Sequence, residues 1–174
     1  TFLLDYFGEI YYNVYLVYYH YNILVIINKG VERMKISTKG RYALRLMLDL
    51  ATHATNSYIS LKEIASRQNI SEKYLEQIIT QLNRKGFVKS IRGAHGGYKL
   101  TQEPSYYTVG MILRLMEGSL VPVECVNSMN CPRVDTCVTY EVWVKIKEAV
   151  DNVVDHITLQ DLLDIQREKN VVNY

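Results

Sequence analysis

Apolar residues at helical spacing predict three successive helices in the first half of the chain. The first spans 38–54 and is densely apolar, and the second spans 61–68 behind a capping box. The third begins at Ser71, which we expect to cap it, and runs to about residue 85, where Gly86 stops it. Two short helices joined by a tight turn are typical of a helix-turn-helix.

Beyond Gly86 the apolar period shortens to about two. Residues 87–91 and 98–100 alternate as strands do, and a glycine-rich stretch, 92–97, separates them. This pattern predicts a hairpin, and a hairpin directly after a helix-turn-helix indicates the wing of a winged-helix domain. Glycines at its tip permit close approach to another backbone. An ordinary solvent-exposed hairpin is the alternative.

Three more helices are predicted in the second half. One spans 108–117 and stops at Gly118. A long helix covers 139–156, and its apolar stripe is too long for one small domain to bury. We therefore expect it to pair with its own copy in a dimer, with packing inside its own domain as the alternative. A short final helix is predicted over 158–165.

These elements define a mainly α fold class with a small β-hairpin wing: a winged helix-turn-helix domain plus a long dimerisation helix. We expect the DNA-binding domain to span 34–118 and a cysteine-bearing loop to span 119–138. The dimerisation helix and a C-terminal helix then occupy 139–174. A length of 174 residues suits one domain with an arm and excludes a multidomain enzyme.

The first 33 residues differ in composition from the rest. They hold 7 of the 15 tyrosines but only 2 of the 20 basic residues. An apolar run over 11–27 is too short and too often interrupted to span a membrane, and no basic region before it indicates a signal peptide. We interpret 1–33 as a non-native or disordered upstream extension, with translation starting at Met34.

The formal net charge of +2 hides two halves of opposite sign. Residues 34–102 hold 12 Lys and Arg against 4 Asp and Glu, whereas residues 103–174 hold 6 against 11. A basic first half favours a polyanion as partner, and a merely lysine-rich surface is the alternative. With 48% hydrophobic and 22% charged residues, the chain as a whole is neither a disordered tail nor a disulfide scaffold.

The three cysteines, Cys125, Cys131 and Cys137, follow one another at equal spacing. Their odd number argues against a disulfide framework and for a reducing cytoplasm. The residues between them predict a polar loop, and three thiols on such a loop suit zinc or an iron–sulfur cluster; buried free thiols are the alternative. No His and Asp constellation accompanies these thiols, so we expect neither an enzyme nor a small-molecule substrate.

Four motifs occur together in order. They are MKISTKGRYA at 34–43, ISEKYLEQ at 70–77, RGAHGGY at 92–98 and the cysteine triplet. Because it carries these four motifs in this order, the chain resembles the winged-helix iron–sulfur transcriptional regulators of bacteria typified by IscR and NsrR. The resemblance extends over residues 34–166 and leaves the upstream segment unmatched.

The resemblance implies a homodimeric, cytoplasmic repressor or activator whose cluster state decides which promoters it occupies. It implies that the three cysteines bind a 2Fe–2S or 4Fe–4S cluster. The fourth ligand is unassigned, because Tyr140 replaces the IscR-type His and Arg41 replaces the NsrR-type Asp. The alternative is a cluster-free or zinc-stabilised repressor, such as the cysteine-metabolism regulator CymR. The intact triplet argues against that branch, and its spacing is wider than in zinc fingers.

The partner implied by this resemblance is double-stranded promoter DNA, with the third helix in the major groove. Lys73, Glu76 and Gln77 share one helical face, from which Glu accepts hydrogen bonds from cytosine and Gln pairs with adenine. The wing is expected to add salt-dependent backbone contacts. The residues predicted to contact DNA are Lys39, Arg41, Ser71, Lys73, Tyr74, Glu76, Gln77, Arg92, Gly93 and His95.

Overall fold

Helices make up most of the described residues, and a single hairpin interrupts them there. The computed structural model describes residues 36–53, 57–93, 96–128 and 131–171. Predictions for segment 1–33 and for His95 lie outside these residues. The elements in chain order are α1 (Thr38–Thr52), α2 (Leu61–Gln68), α3 (Glu72–Arg84), β1 (Val88–Ile91), β2 (Gly97–Leu100), α4 (Val109–Glu117), α5 (Glu124–Ser128), α6 (Tyr140–His156) and α7 (Leu159–Val171).

The residues predicted to cap the helix ends make the expected hydrogen bonds. Ser60 caps α2, and Glu63 bonds back to its backbone, which completes the capping box. Ser71 caps α3 by accepting a hydrogen bond from the Tyr74 N–H at 3.3 Å. Gly86 follows α3 at a φ of 78°, the left-handed region where glycine costs least. The predicted fold class, mainly helical with an antiparallel hairpin, is confirmed.

The main core forms around α1, which packs against α2, α3, α4 and α7. Its fully buried side chains come from every one of these helices. Examples are Leu46 of α1, Ile64 of α2, Leu75 of α3, Ile112 of α4 and Leu159 of α7. Each buried aliphatic side chain of this size contributes about 1.5–3 kcal/mol. No helix in the described part of the chain is long and apolar enough to cross a bilayer.

The wing is held at its base by a buried tyrosine. The Tyr107 hydroxyl donates to the Phe87 carbonyl at 2.8 Å and accepts from the Gln102 N–H at 2.9 Å. The rings of Phe87 and Tyr107 also pack edge to face, with centroids 5.4 Å apart. A buried hydroxyl must find such partners, so this side chain fixes where the hairpin leaves the core.

The carboxyl end of α6 is fixed to the winged domain at a short corner. The Val109 N–H donates to the Ile157 carbonyl at 2.8 Å, and the Leu159 N–H donates to the Tyr107 carbonyl at 2.9 Å. These two bonds bracket Thr158, which pairs with Thr108 as an isolated β-bridge.

An ion-pair cluster adds a second connection between α6 and the domain. Arg114 of α4 binds Asp155 at 2.5 Å and also binds Asp151, which Lys147 contacts at 2.7 Å. Burial raises the pKa of Asp151, but the hydrogen bonds from Lys147 and Arg114 outweigh that effect and hold the pKa below its usual value.

Three predicted segments differ from the structure. The last helix continues to Val171 instead of stopping near residue 165, and the i,i+3 ion pair of Arg167 with Asp164 at 2.9 Å supports the added turn. The cysteine segment is not a plain loop: it contains α5 and a 3-10 turn at Val134–Thr136. Burial of Val126 to 8% exposure anchors α5. The first helix ends at Thr52, two residues before its predicted end.

A buried carboxylate joins α1 to the end of α2. Asp49 is the one buried charged residue of the described chain, and Arg67 reaches it at 2.7 Å. Gln68 donates to the same carboxylate at 2.8 Å and accepts from Arg45 at 3.0 Å. Arg45 also bonds the Gln68 carbonyl at 2.5 Å, which closes the last turn of α2. Because Asn69 directly follows, this network fixes the turn into α3.

The network predicts an asymmetric cost of mutation. Arg67→Ala removes the guanidinium from the Asp49 carboxylate, which is 1% exposed and keeps only Gln68 and the His53 ring 3.5 Å away, so the free energy of unfolding should fall by about 3 kcal/mol. Asp49→Asn should cost less, since the Arg67 side chain is already 34% exposed and can turn to water. Urea unfolding of both variants measures this, and an equal or reversed order would contradict the assignment.

Candidate DNA interface and cysteine segment

Helix α3 has one buried and one exposed face. Leu75, Ile78, Ile79 and Leu82 are 0–1% exposed, so their packing fixes the rotation of the helix about its axis. Lys73, Glu76 and Gln77 consequently face solvent together, as the sequence predicts. Three polar side chains of different hydrogen-bonding character on one exposed helical face can contact the base edges of a groove.

Two of the predicted contact residues at the start of α3 have structural partners. Ser71 is exposed, and its hydroxyl serves as the N-cap. Tyr74 is half-buried, with its ring packed edge to face on that of Tyr42 at 5.7 Å. The ring of Tyr74 therefore helps to join α3 to α1, whether or not its hydroxyl reaches DNA.

The start of α1 is connected to the end of α4. Glu117 accepts hydrogen bonds from the Ser37 hydroxyl at 2.7 Å and from its N–H at 3.2 Å. The Ser37 hydroxyl in turn accepts from the Gly40 N–H and caps the helix. In the first turn and a half, Arg41 is exposed and Lys39 is half-buried, so this connection positions both predicted cations.

The wing presents Arg92 and Gly93 directly after β1. Both residues are exposed, and Gly93 has a φ of 118°, which L-residues with a Cβ rarely adopt. The Gly96 N–H closes the turn by donating to the Gly93 carbonyl at 2.9 Å. His95, predicted between them, is outside the described residues.

Sequence reasoning missed one residue on the exposed face of α3. Thr80 lies one turn beyond Glu76, is exposed, and donates its hydroxyl to the Glu76 carbonyl at 2.6 Å. The helical spacing of four residues from Glu76 is the signal that identifies it. Thr80 extends the polar face toward the carboxyl end of the helix.

The three cysteines are half-buried and form no disulfide. Cys125 lies in α5, and Cys131 and Cys137 flank the 3-10 turn. The Cys137 sulfur is 3.2 Å from the Thr139 hydroxyl, and this contact, aided by two backbone N–H groups and by Arg133, lowers the pKa of the thiol. Sulfur ligands of this kind fit zinc or an iron–sulfur cluster chemically.

The three thiols have suitable chemistry for a metal site, but they are not arranged as one. Across the described ranges, no three His, Cys, Asp or Glu side chains lie close enough together to hold one metal ion. Binding a cluster thus requires the segment from α5 to the 3-10 turn to draw its sulfurs together.

The long helix α6 exposes an apolar face. Only Val154 is buried along its 17 residues, whereas Val142 and Val153 are 49% and 58% exposed. Val153 also lines an open apolar cavity of about 440 Å³. Its lining includes Ile36, Leu113, Leu120, Ile146, Val150 and Val153.

Comparison with known proteins assigns the family. The family model of Rrf2, described as an iron-dependent transcriptional regulator, matches residues 36–165. The HTH-type transcriptional regulator CymR of Bacillus subtilis (strain 168) is 46% identical over 129 residues, which cover 74% of this chain and 89% of CymR.

Two solved structures of transcriptional regulators are also similar to this chain. The structure of CymR, the global cysteine regulator of B. subtilis, is similar at a TM-score of 0.65 and 45% identity, over 75% of this chain and 97% of that one. The structure of T. potens IscR is similar at a TM-score of 0.65 and 46% identity, over 78% of this chain and 90% of that one.

These relatives are regulators of transcription and not enzymes, and the resemblance to winged-helix regulators is confirmed. The chain therefore belongs to the Rrf2 family of DNA-binding transcriptional regulators.

Proposed function

We propose that the chain is a cytoplasmic homodimeric regulator that reads promoter DNA through α3 and responds to an iron–sulfur cluster held by Cys125, Cys131 and Cys137. The observation that carries the DNA-reading part is the rotation of α3. Four buried aliphatic side chains leave its polar face no orientation except outward. The cluster part is supported by the family description and by the chemistry of the thiols.

In this proposal the base contacts come from α3 and the backbone contacts from its surroundings. Glu76 accepts a hydrogen bond from cytosine, and Gln77 pairs with adenine. Lys73 contacts a base edge or a phosphate, and the wing adds Arg92 at the minor groove or the backbone. Lys39 and Arg41 supply further positive charge at the start of α1.

The second subunit covers the apolar face of α6. Val142, Ile146, Val150 and Val153 recur at helical spacing and are exposed or half-buried in the single chain. An exposed apolar stripe of this length favours a symmetric pairing in which each copy presents the same surface. The pairing would place two copies of α3 on successive half-sites.

The cluster, when bound, supplies a redox-labile centre that is sensitive to iron supply, oxygen or nitric oxide. The three thiols are its protein ligands in this proposal, and the fourth ligand is unassigned. Similarity to T. potens IscR supports this assignment.

A cluster-free regulator of cysteine metabolism is the second candidate. Two observations favour it: the thiols are not gathered into one site, and the chain is similar to the global cysteine regulator of B. subtilis. In that case the thiol segment is structural, and zinc would bind there only after the same gathering of the thiols that a cluster needs.

The first prediction concerns base readout. Gln77→Ala should weaken binding to an operator selected by the wild-type protein by about 1–3 kcal/mol, because one bidentate base contact is lost. Glu76→Ala should relax discrimination at one cytosine. Fluorescence anisotropy with single-base operator variants measures both effects. The exposed Glu103, with no cap bond from its side chain, supplies the control Glu103→Ala. Unchanged discrimination in Glu76→Ala would refute its role.

The second prediction concerns the dimer. Val153→Glu places a charge on the apolar face of α6 and should convert the protein to a monomer, because an unpaired buried carboxylate is costly. Sedimentation velocity without DNA measures the mass. Ile91→Glu makes the same change at a 51% exposed position on the hairpin and should remain dimeric. A dimeric Val153→Glu protein would place the interface elsewhere.

The third prediction separates the two candidates. Protein purified without oxygen should absorb visible light and contain iron and acid-labile sulfide. A variant with all three cysteines changed to Ala should lose both while keeping the far-UV circular dichroism of the wild type. Metal analysis that finds zinc alone, or no metal, would instead support the second candidate.

A further inference from the structure

Two lysines stand directly opposite each other on the outer face of the hairpin. The strand register pairs Lys89 of β1 with Lys99 of β2. Alternation along β1 places Lys89 on the face opposite Val88, which is 1% exposed. Paired residues of this kind have Cβ atoms about 4.5–5.5 Å apart, and like charges so placed destabilise a sheet.

The lysine on β2 is held in place by an aromatic ring. The Lys99 ammonium lies 4.7 Å from the centroid of the Tyr58 ring. Tyr58 is positioned by its neighbour Ile59, which exchanges backbone hydrogen bonds of 3.0 and 2.8 Å with Tyr98. The ring thus fixes where the Lys99 ammonium lies.

The segment around this pair is rich in cations. Residues 77–102 contain five Lys and Arg and no Asp or Glu. Among the described residues, no ion pair involves Lys89 or Lys99. An anionic partner lying over this face would therefore meet two cations that form no ion pair among the described residues.

We propose that Lys89 and Lys99 form a phosphate-binding pair for the backbone of duplex DNA, with Tyr58 as the residue that positions Lys99. This inference rests on the proposed docking of α3 and the wing. Duplex DNA is favoured because Arg92, which the proposed function places at the minor groove or the backbone, follows β1 directly in sequence. Phosphate contacts of this kind add affinity without reading sequence.

The test measures how DNA binding depends on salt. The probes are a labelled duplex that the wild-type protein selects from a random pool and an unrelated duplex of equal length. Lys89→Gln and Lys99→Gln should each reduce the slope of log K against log salt by about one on both duplexes. At 0.15 M salt this corresponds to a loss of affinity of about fivefold.

Tyr58 and a distant lysine supply matched controls. Tyr58→Leu should weaken binding as Lys99→Gln does, whereas Tyr58→Phe, which keeps the ring, should bind as the wild type. Lys145, exposed on α6, gives Lys145→Gln, which removes the same unit of charge and should leave the slope unchanged.

The melting temperature of the free protein supplies a second readout, and here the lysine variant is expected to gain stability although it loses DNA affinity. Since Lys89 repels Lys99 in the free protein, Lys89→Gln should raise the Tm at low salt, and the difference should vanish at high salt, where the charges are screened. A merely structural lysine would lower the Tm when removed.

The outcomes separate this inference from the function on which it rests. Wild-type slopes in both lysine variants, with Gln77→Ala still impaired on the selected duplex, would overturn the phosphate pair alone. Weakening confined to the selected duplex would also overturn it, because that indicates base readout. A wild-type protein that prefers neither duplex would overturn the proposed readout by α3.

Discussion

The burial of one face of α3 is the constraint from which the DNA-binding surface follows. A helix that places Leu75, Ile78, Ile79 and Leu82 in a core has no rotational freedom left. Its remaining positions are committed to solvent, and here they carry polar side chains of varied chemistry. The contacts that stabilise the core therefore also orient the polar face of α3 toward solvent.

The parts of the fold that could be predicted are those decided by near neighbours in sequence. The capping box of α2, the cap of α3 at Ser71 and the stop at Gly86 depend on side chains within four residues of the backbone they bond. The exposed face of α3 followed from helical spacing in the same way. The long helix α6 was predicted over 139–156 and observed as Tyr140–His156.

The parts that could not be predicted depend on contacts between distant segments. Asp49 gave no sign in the sequence that it would be buried, because its partner Arg67 is eighteen residues away. The pairing of Lys89 with Lys99 follows from the strand register. The alternation of apolar and polar residues does not fix that register, because a shifted pairing of the two strands is also compatible with it. The sequence predicts a loop for the cysteine segment, whereas Glu124–Ser128 is helical and buries Val126 against the folded domain.

The corner at Ile157 and Thr158 attaches α6 to the winged domain at its carboxyl end. Its carboxyl end is bonded to the backbone at Tyr107 and Val109, whereas its amino end follows Cys137 by a few residues. Seventeen residues at 1.5 Å each give a length of about 25 Å, so a pivot of roughly 5° at the corner moves the amino end by about 2 Å. A displacement at the start of α6, three residues after Cys137, would therefore reach the corner as a small change of angle, beside the tyrosine that anchors the wing.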